Sequence, residues 1–281
     1  TASSVIYGNF AKVRNHGVDL SIDYGKQISK DFTLQFKGTF TFARNKVLEY
    51  DEAPGLRPGM KTVGRRLNTF LGYVTNGLYE NYTDVEESPT STLGNIAISP
   101  GDIKYVDQPD ANGNYDGRIT SDDRVEIGDP WIPEIVYGFG PSMRWKNWDF
   151  SFFFQGQTNV SLIMENFEPF GERSARGVLA WIADDYWSPD YPNVNAKHPR
   201  LTRLTNNHNM QVSTYWLRDA SFLKLKNVEL GYSYKKARFY ISGSNLLTIS
   251  PFKHWDPEVG TGAGMQYPTQ RIFNLGIQMS F

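Results

Sequence analysis

Several features are missing from this 281-residue sequence, and each absence excludes a class of protein. It has no cysteine, so disulfides, thiolate metal sites and cysteine nucleophiles are excluded. No stretch approaches 18 consecutive apolar residues, which excludes a transmembrane helix. Lys plus Arg number 29 against 30 Asp plus Glu, and no basic stripe alternates with aromatic residues, so nothing indicates a nucleic-acid partner.

Sequence signatures of enzymes are also missing. The four histidines are scattered, with no His-Glu-x-x-His zinc pair, and there is no Gly-x-Ser-x-Gly nucleophile elbow. The adjacent carboxylates Asp184 and Asp185 are not evidence of an opposed acid and base pair. No Gly-rich phosphate loop follows a strand. The sequence therefore predicts a protein that is not an enzyme.

What the sequence has in abundance is aromatic residues and glycine. Phe, Tyr and Trp make up 15% of it and Gly numbers 25, a mixture that favours strands joined by turns. Apolar residues fall on every second position of VDLSIDY (18–24) and FTLQFKGTFTF (32–42), the period of a strand with one apolar face. The longer runs approach the roughly 9 to 11 residues that a tilted strand needs to cross a bilayer.

Five further runs bring the predicted membrane strands to seven and indicate an all-β, antiparallel transmembrane barrel. These runs are EIVYGFGPSMRW, WDFSFFFQGQ, FLKLKNVELGYSY, ARFYISGSNL and the closing IFNLGIQMSF. Between Leu225 and Val228 the apolar parity slips, which predicts a β-bulge near Lys226 and Asn227. On pattern alone, a soluble β-sandwich or propeller stays the alternative.

The connections between these strands alternate strictly between short and long. Short turns fall at 26–30, 146–147 and 235–236, whereas long irregular stretches cover about 45–133, 158–215 and 248–271. Outer-membrane barrels have this asymmetry, with short periplasmic turns and long external loops, and they are even-stranded. Seven strands therefore predict a partial barrel with further strands upstream. Aromatic residues that suit the headgroup level stand near strand ends, namely Trp145, Trp148, Tyr232 and Tyr234.

The stretch NGNYDGRITSDD has the spacing of a calcium loop. Its ligand positions are Asn112, Asn114, Asp116, the carbonyl of Arg118, Thr120 and Asp123. Only Asp116 and Asp123 supply full negative charge, fewer than a strong site needs. Two interpretations stay open: a weak calcium site, and a turn held by its own Asx hydrogen bonds.

The stretch LAWIADDYWSPDYPNVNAKHPRL is dense in Trp, Tyr, Asp and Asn. Aromatic faces beside carboxylates and amides suit a surface that binds sugars or peptides. The candidate substrate contacts are Trp181, Tyr186 and Trp187. A packed loop without a ligand would have much the same composition.

Taken together and in order, motifs along nearly the whole chain resemble the carboxy-terminal part of SusC/RagA-type TonB-dependent outer-membrane transporters of Bacteroidetes. The motifs are NHGVDLSI, GDIKYVDQ, DGRITSDDRVEIG, PEIVYGFGPSMRWKNWDFSFFFQG, YWSPDYPNVNAKHPRL, SFLKLKNVELGY, ARFYISGSNLLTIS and YPTQRIFNLGIQMSF. The resemblance implies a plugged 22-stranded barrel in the outer membrane that imports glycans or peptides with energy passed through TonB.

The resemblance also implies partners. A SusD-like surface lipoprotein would act as a lid, TonB would bind through a plug region, and outer-membrane lipid would surround the barrel. The barrel-assembly machinery would read the last strand, through Phe273, Leu275, Ile277, Met279 and Phe281. We expect residues 1–281 to be the carboxy-terminal part of the barrel, with the plug and upstream strands absent from this chain. Two alternatives are a scaffold barrel that transports nothing, and a soluble calcium-dependent carbohydrate-binding β protein.

Overall fold

The structure is a computed structural model that describes residues 8–166 and 177–280. Strands dominate these residues. They are β1 (Lys12–Gln27), β2 (Phe32–Glu49), β3 (Phe70–Gly72), β4 (Thr75–Leu78), β5 (Thr90–Ser91), β6 (Ile103–Tyr105), β7 (Arg118–Ile119), β8 (Val125–Ile127), β9 (Ile135–Trp145), β10 (Trp148–Thr158), β11 (Ser161–Ile163), β12 (Leu217–Asp219), β13 (Phe222–Tyr234), β14 (Ala237–Ile249) and β15 (Ile272–Met279).

Among the described residues, helical structure is confined to short pieces. These are the α-helices α1 (Tyr82–Glu87) and α2 (Ala180–Asp184) and single 3₁₀ turns at Pro58–Met60, Ser121–Asp123 and Pro257–Val259. Within the two described ranges, none of the helices has the length and apolar character to span a membrane.

Seven strands form one antiparallel sheet in the order β1-β2-β9-β10-β13-β14-β15, which we call the wall sheet. These are the seven strands that the alternating sequence runs predict, so the all-β antiparallel assignment is confirmed. Register follows the apolar pattern, since Leu20 of β1 lies opposite Phe40 of β2 and Val18 lies opposite Phe42. Among the described residues, β1 and β15 each pair on one side only.

The predicted β-bulge is confirmed. The register of β13 shifts between Leu225 and Asn227 against β14, and Asn227 and Leu225 lie opposite the consecutive residues Phe153 and Phe154 of β10. A bulge adds one residue to one strand only, so the side chains beyond it change faces. That change is why Lys224 before the bulge and Glu229 after it lie on the same side of the sheet as the polar residues of β14.

The wall sheet is strongly curved. A single space of about 750 Å³ touches residues of six strands, from Asp23 on β1 to Ser242 on β14. Polar side chains such as Gln35, Lys37 and Glu229 line this concave space, together with apolar residues such as Phe152 and Phe153. The opposite face carries rows of exposed apolar side chains: on β1 these are Val18, Leu20, Ile22 and Tyr24, each between 49% and 61% exposed.

Three long connections leave the edge of the wall sheet opposite its short turns, and together they form what we call the loop layer. They run between β2 and β9, between β10 and β13, and between β14 and β15. Backbone hydrogen bonds join them: Tyr73 N donates to Val212 O over 2.9 Å, and Glu165 N donates to Gly262 O over 3.1 Å. The segment 69–79, predicted to lie outside the membrane strands, contributes β3 and β4 to this layer.

The loop layer has its own hydrophobic core. Its buried members are Tyr73, Leu78, Ile103, Tyr105, Ile119, Val160, Leu162, Ile163, Met164, Ile182, Trp187, Ala196, Trp216, Ala220 and Phe252. Packing is tight at Gly101, whose φ is +84°, because a Cβ there would lie 2.3 Å from the ring of Trp187. All three connections contribute residues to this core, so they pack together as one layer.

Candidate functional site

A polar network fixes the loop layer around Asp102, which is only 1% exposed. Arg200 donates to both of its carboxylate oxygens over 2.8 and 3.0 Å. Asn206 and Asn209 donate their side-chain amides to Asp102 Oδ1 over 2.9 and 2.8 Å. A buried carboxylate with charged and amide donors is satisfied rather than reactive. Asp102 therefore holds two long connections together.

The guanidinium of Arg57 lies among the carboxylates of the predicted calcium loop. The Arg57 guanidinium donates to Asp123 Oδ1 over 2.8 Å and to Asp116 Oδ2 over 2.5 Å. Its Nη1 also lies 3.7 Å from Asp107 Oδ1 and 2.5 Å from the Gln108 carbonyl oxygen. Arg57 thus contacts both fully charged ligands of the predicted calcium set.

Hydrogen bonds within the loop also fix its backbone. Asp123 Oδ2 accepts from Thr120 N over 2.6 Å, closing a capping box around the 3₁₀ turn. Asn112 N and Asn114 N both donate to Asp110 Oδ1, over 2.8 and 2.9 Å. These Asx-type hydrogen bonds are those of the second interpretation of the loop. Calcium binding by this loop stays a prediction.

The acidic cluster of this loop shifts a pKa. Asp107 is 7% exposed and its Oδ1 has no hydrogen-bond partner in the described chain. Burial is the main reason that the pKa of Asp107 is raised, and the neighbouring charge of Asp123 adds to it, although Gly117 N donates to the carboxylate. In the part of the chain that the structure describes, no group of three or more His, Cys, Asp or Glu side chains is arranged to hold a metal ion.

The three predicted substrate contacts are placed differently. Trp187 is 6% exposed and belongs to the core of the loop layer. Tyr186 is 37% exposed and pairs with His198 in an isolated bridge. Trp181 is half-buried and lines a cavity at the base of the loop layer. The structure therefore does not gather the three rings into one site.

The cavity beside Trp181 has a volume of about 370 Å³ and is rich in positive charge. Its lining includes Trp181, Lys197, Arg218, Phe252, Lys253 and His254. The ring of His254 lies 4.8 Å from the ring of Trp181 and 5.5 Å from that of Phe252. Sequence reasoning missed its basic members because they come from the second and third connections and become neighbours only on folding.

An ion cluster ties the third connection to the wall sheet. Lys224 of β13 is fully buried, and its Nζ donates to Asp256 Oδ1 and Oδ2 over 2.6 and 2.7 Å and also to Glu258. Burial alone would raise the pKa of Asp256, but the hydrogen bonds from Lys224 outweigh burial and leave that pKa lowered. The pKa of Glu258 is lowered in the same way by Lys224 and Lys226.

The last strand presents its apolar residues outward. Phe273, Leu275, Ile277 and Met279 are 76%, 83%, 61% and 62% exposed. Phe281, the fifth residue of the predicted assembly signal, lies outside the described residues. Such a row suits contact with lipid. Recognition by the assembly machinery stays a prediction.

Comparison with known proteins now places the chain. No protein-family model matches it. TonB-dependent receptor P3 of Formosa agariphila is 27% identical over 308 residues, which covers 97% of this chain and 29% of that protein. TonB-dependent receptor SusC of Bacteroides thetaiotaomicron is 26% identical over 293 residues, covering 97% of this chain and 27% of SusC. Over nearly its whole length, the chain is therefore similar in sequence to SusC-like TonB-dependent receptors. It spans less than a third of the length of these relatives.

Solved structures share the fold of this SusC-like chain. The RagAB peptide transporter structure superposes with a TM-score of 0.70 at 24% identity, covering 96% of this chain and 30% of that one. The RagAB peptide importer in the open-open state gives a TM-score of 0.69 at 22% identity. Together with the sequence relatives, these structures identify the wall sheet as part of an outer-membrane β-barrel.

Proposed function

We propose that this SusC-like receptor imports oligosaccharides or short peptides across the outer membrane, with energy supplied through TonB. The observation that carries the proposal is the wall sheet, which has exposed apolar rows on one face and, on the other, a concave space of about 750 Å³ lined in part by polar side chains. Unpaired backbone groups in hydrocarbon cost several kcal/mol each, so a closed hydrogen-bonded wall is the physical requirement for such a pathway. The chain supplies seven strands of that wall.

The loop layer has a separate role in this proposal. A layer with a buried core and the Asp102 network keeps its shape, so it holds side chains in fixed positions at the outer mouth of the barrel. A rigid rim provides both cargo contacts and a docking surface. We propose that a SusD-like lipoprotein closes over this rim as a lid.

Two further partners complete the proposal. TonB acts through a plug region, and the barrel-assembly machinery reads the outward row of β15, which contains Phe273, Leu275 and Ile277. Affinity purification of the full-length receptor from detergent-solubilised outer membranes tests the lid. We expect a surface lipoprotein to co-purify in a fixed ratio, and purification of the receptor alone under several mild detergents would refute the lid.

An uptake experiment tests import. The gene for the full-length receptor is deleted and then restored, and cells receive fluorescent peptides or fluorescent oligosaccharides. We expect uptake of one class to require both the receptor and TonB, with the cargo recovered intact because the protein transports and does not hydrolyse it. Uptake that is unchanged by deletion would contradict import and favour the scaffold alternative.

A further inference from the structure

The cavity between the second and third connections has an unbalanced charge. Lys197, Arg218 and Lys253 bring three cations to it, whereas Asp219 is its one acidic lining residue among the described residues. Asp219 Oδ1 already accepts from Ser221 N over 2.8 Å, and Lys197 lies 3.6 Å from Asp185. Within the described ranges, no carboxylate lies within salt-bridge distance of Arg218 or Lys253.

Arg218 lines the cavity and is held by hydrogen bonds to the backbone. Its Nη1 donates to the carbonyl oxygens of Tyr215 and Leu217, each over 2.8 Å, which fixes the plane of the guanidinium. In the described chain, Nε and Nη2 have no hydrogen-bond acceptor. These two parallel N–H groups match the two oxygens of a carboxylate.

The pKa values of Arg218 and His254 are both lowered in this cavity. Burial lowers the pKa of the Arg218 guanidinium. The pKa of His254 is lowered by burial first and then by the charges of Arg218 and Lys197. A half-buried cation is unfavourable for folding unless an anion balances it, and among the described residues Arg218 has no such partner, so the site suits an anion supplied from outside.

The rest of the lining selects the kind of anion. Phe252, Pro251 and Trp181 give the cavity apolar walls, and its cations are hydrogen-bond donors only. A sugar ring presents several hydroxyls that need acceptors, and Asp219 is poorly able to supply them. An apolar side chain next to a carboxylate fits these walls and donors better.

We propose that this cavity binds the C-terminal carboxylate and last side chain of an imported peptide, with Arg218 gripping the carboxylate, Lys253 adding charge and the Trp181 and Phe252 rings holding the side chain. This inference rests on the proposed import function and assigns its cargo to peptides. Its volume of about 370 Å³ is in the range of small-ligand sites and holds about one residue with its terminus.

The test uses the full-length receptor in detergent micelles and two probes. One is an N-terminally dansylated heptapeptide that ends in Phe with a free carboxylate, and the other is the same peptide as its C-terminal amide. We expect the free acid to bind about tenfold more tightly, as for one charge-assisted hydrogen-bonded pair. Arg218→Gln and Lys253→Gln should each bring the acid-to-amide ratio close to one while the affinity for the amide is unchanged.

Matched controls keep the test decisive. Lys236→Gln removes an exposed lysine at the turn between β13 and β14, remote from the cavity, and should leave the ratio at its wild-type value. Lys253 is exposed, so its substitution tests the charge even if Arg218→Gln perturbs folding through the Tyr215 and Leu217 carbonyls.

Two results would overturn the inference. Equal binding of acid and amide by the wild-type receptor is one, and a ratio that survives both substitutions is the other. Binding of digalacturonate that depends on Arg218, with equal binding of the two peptides, would assign the cavity to uronates and also overturn it. Receptor-dependent uptake is measured separately. If uptake occurs but the acid-to-amide binding ratio is not as expected, only the assignment of the cavity is refuted. If no uptake depends on the receptor, the import function is refuted.

Discussion

The wall sheet and the loop layer use apolar residues in opposite ways. In the wall sheet, rows of large apolar side chains are exposed on the outer face, and Leu275 is 83% exposed. In the loop layer the same residue types are buried together, and Leu162 is 1% exposed. Exposed apolar side chains are favourable where lipid surrounds the protein, and buried apolar side chains are favourable where water surrounds it. One chain thus contains two regions that bury apolar surface in different ways.

The largest expected effect comes from placing charge on the lipid side of the wall sheet. Leu275→Arg puts a guanidinium into hydrocarbon, which costs about 2 to 4 kcal/mol near the midplane and is expected to block assembly. The neighbouring Asn274→Arg faces the polar concave side and should assemble. The heat-modifiable shift of the folded barrel on a gel measures both variants. Equal yields from the two substitutions would mean that the facing is wrong.

A matched pair of truncations compares the two regions directly. Leu162→Ala leaves a cavity in a packed core and should lower the free energy of unfolding by about 3 kcal/mol. Leu275→Ala removes a side chain that contacts only lipid on its outer face and should cost less than about 1 kcal/mol, since lipid fills the gap. Chemical denaturation of the full-length receptor in detergent measures both. A larger loss from Leu275→Ala would invert the comparison.

Arg57 offers a test of what orders the predicted calcium loop. Arg57→Gln leaves the carboxylates of Asp107 and Asp123 buried side by side, and the loop layer should lose about 2 kcal/mol. Melting is then repeated with calcium and with a chelator. If calcium restores the melting temperature of the variant and leaves that of the wild type unchanged, Arg57 takes the place of the ion. If the chelator lowers the melting temperature of the wild type, the predicted calcium site is established.

The smallest expected effect is on acid stability at the junction of the two regions. The folded pKa values of Asp256 and Glu258 are lowered from 3.8 and 4.5, so their stabilising contact with Lys224 is fully present above about pH 4.5. It is lost as the pH falls through the lowered pKa values. Proteolysis of the third connection should accelerate in acid in the wild type, and Lys224→Gln should remove that acceleration. An identical acid response in the variant would exclude the ion cluster as its cause.

The sequence predicts the wall sheet better than the loop layer, and the reason is physical. The wall sheet repeats every two residues, so its seven strands and its bulge could be predicted from local pattern. The loop layer has strands of two to four residues, and its contacts join distant positions. Arg57 and Asp123 are 66 residues apart, and Asp102 and Asn209 are 107 apart. No local period encodes such pairs, so neither the position of Arg57 in the acidic loop nor the basic cavity could be predicted from the sequence.

The most direct test of the wall sheet is a scan of seven consecutive positions on β1. Each residue from Val18 to Tyr24 is replaced in turn by cysteine, in a segment that has none of its own, and labelled with a nitroxide in proteoliposomes. We predict that oxygen relaxes the label most at Val18, Leu20, Ile22 and Tyr24, and a water-soluble nickel chelate most at Asp19, Ser21 and Asp23. A scan without this period of two, or with the two reagents exchanged, would contradict a wall that faces lipid with its apolar rows.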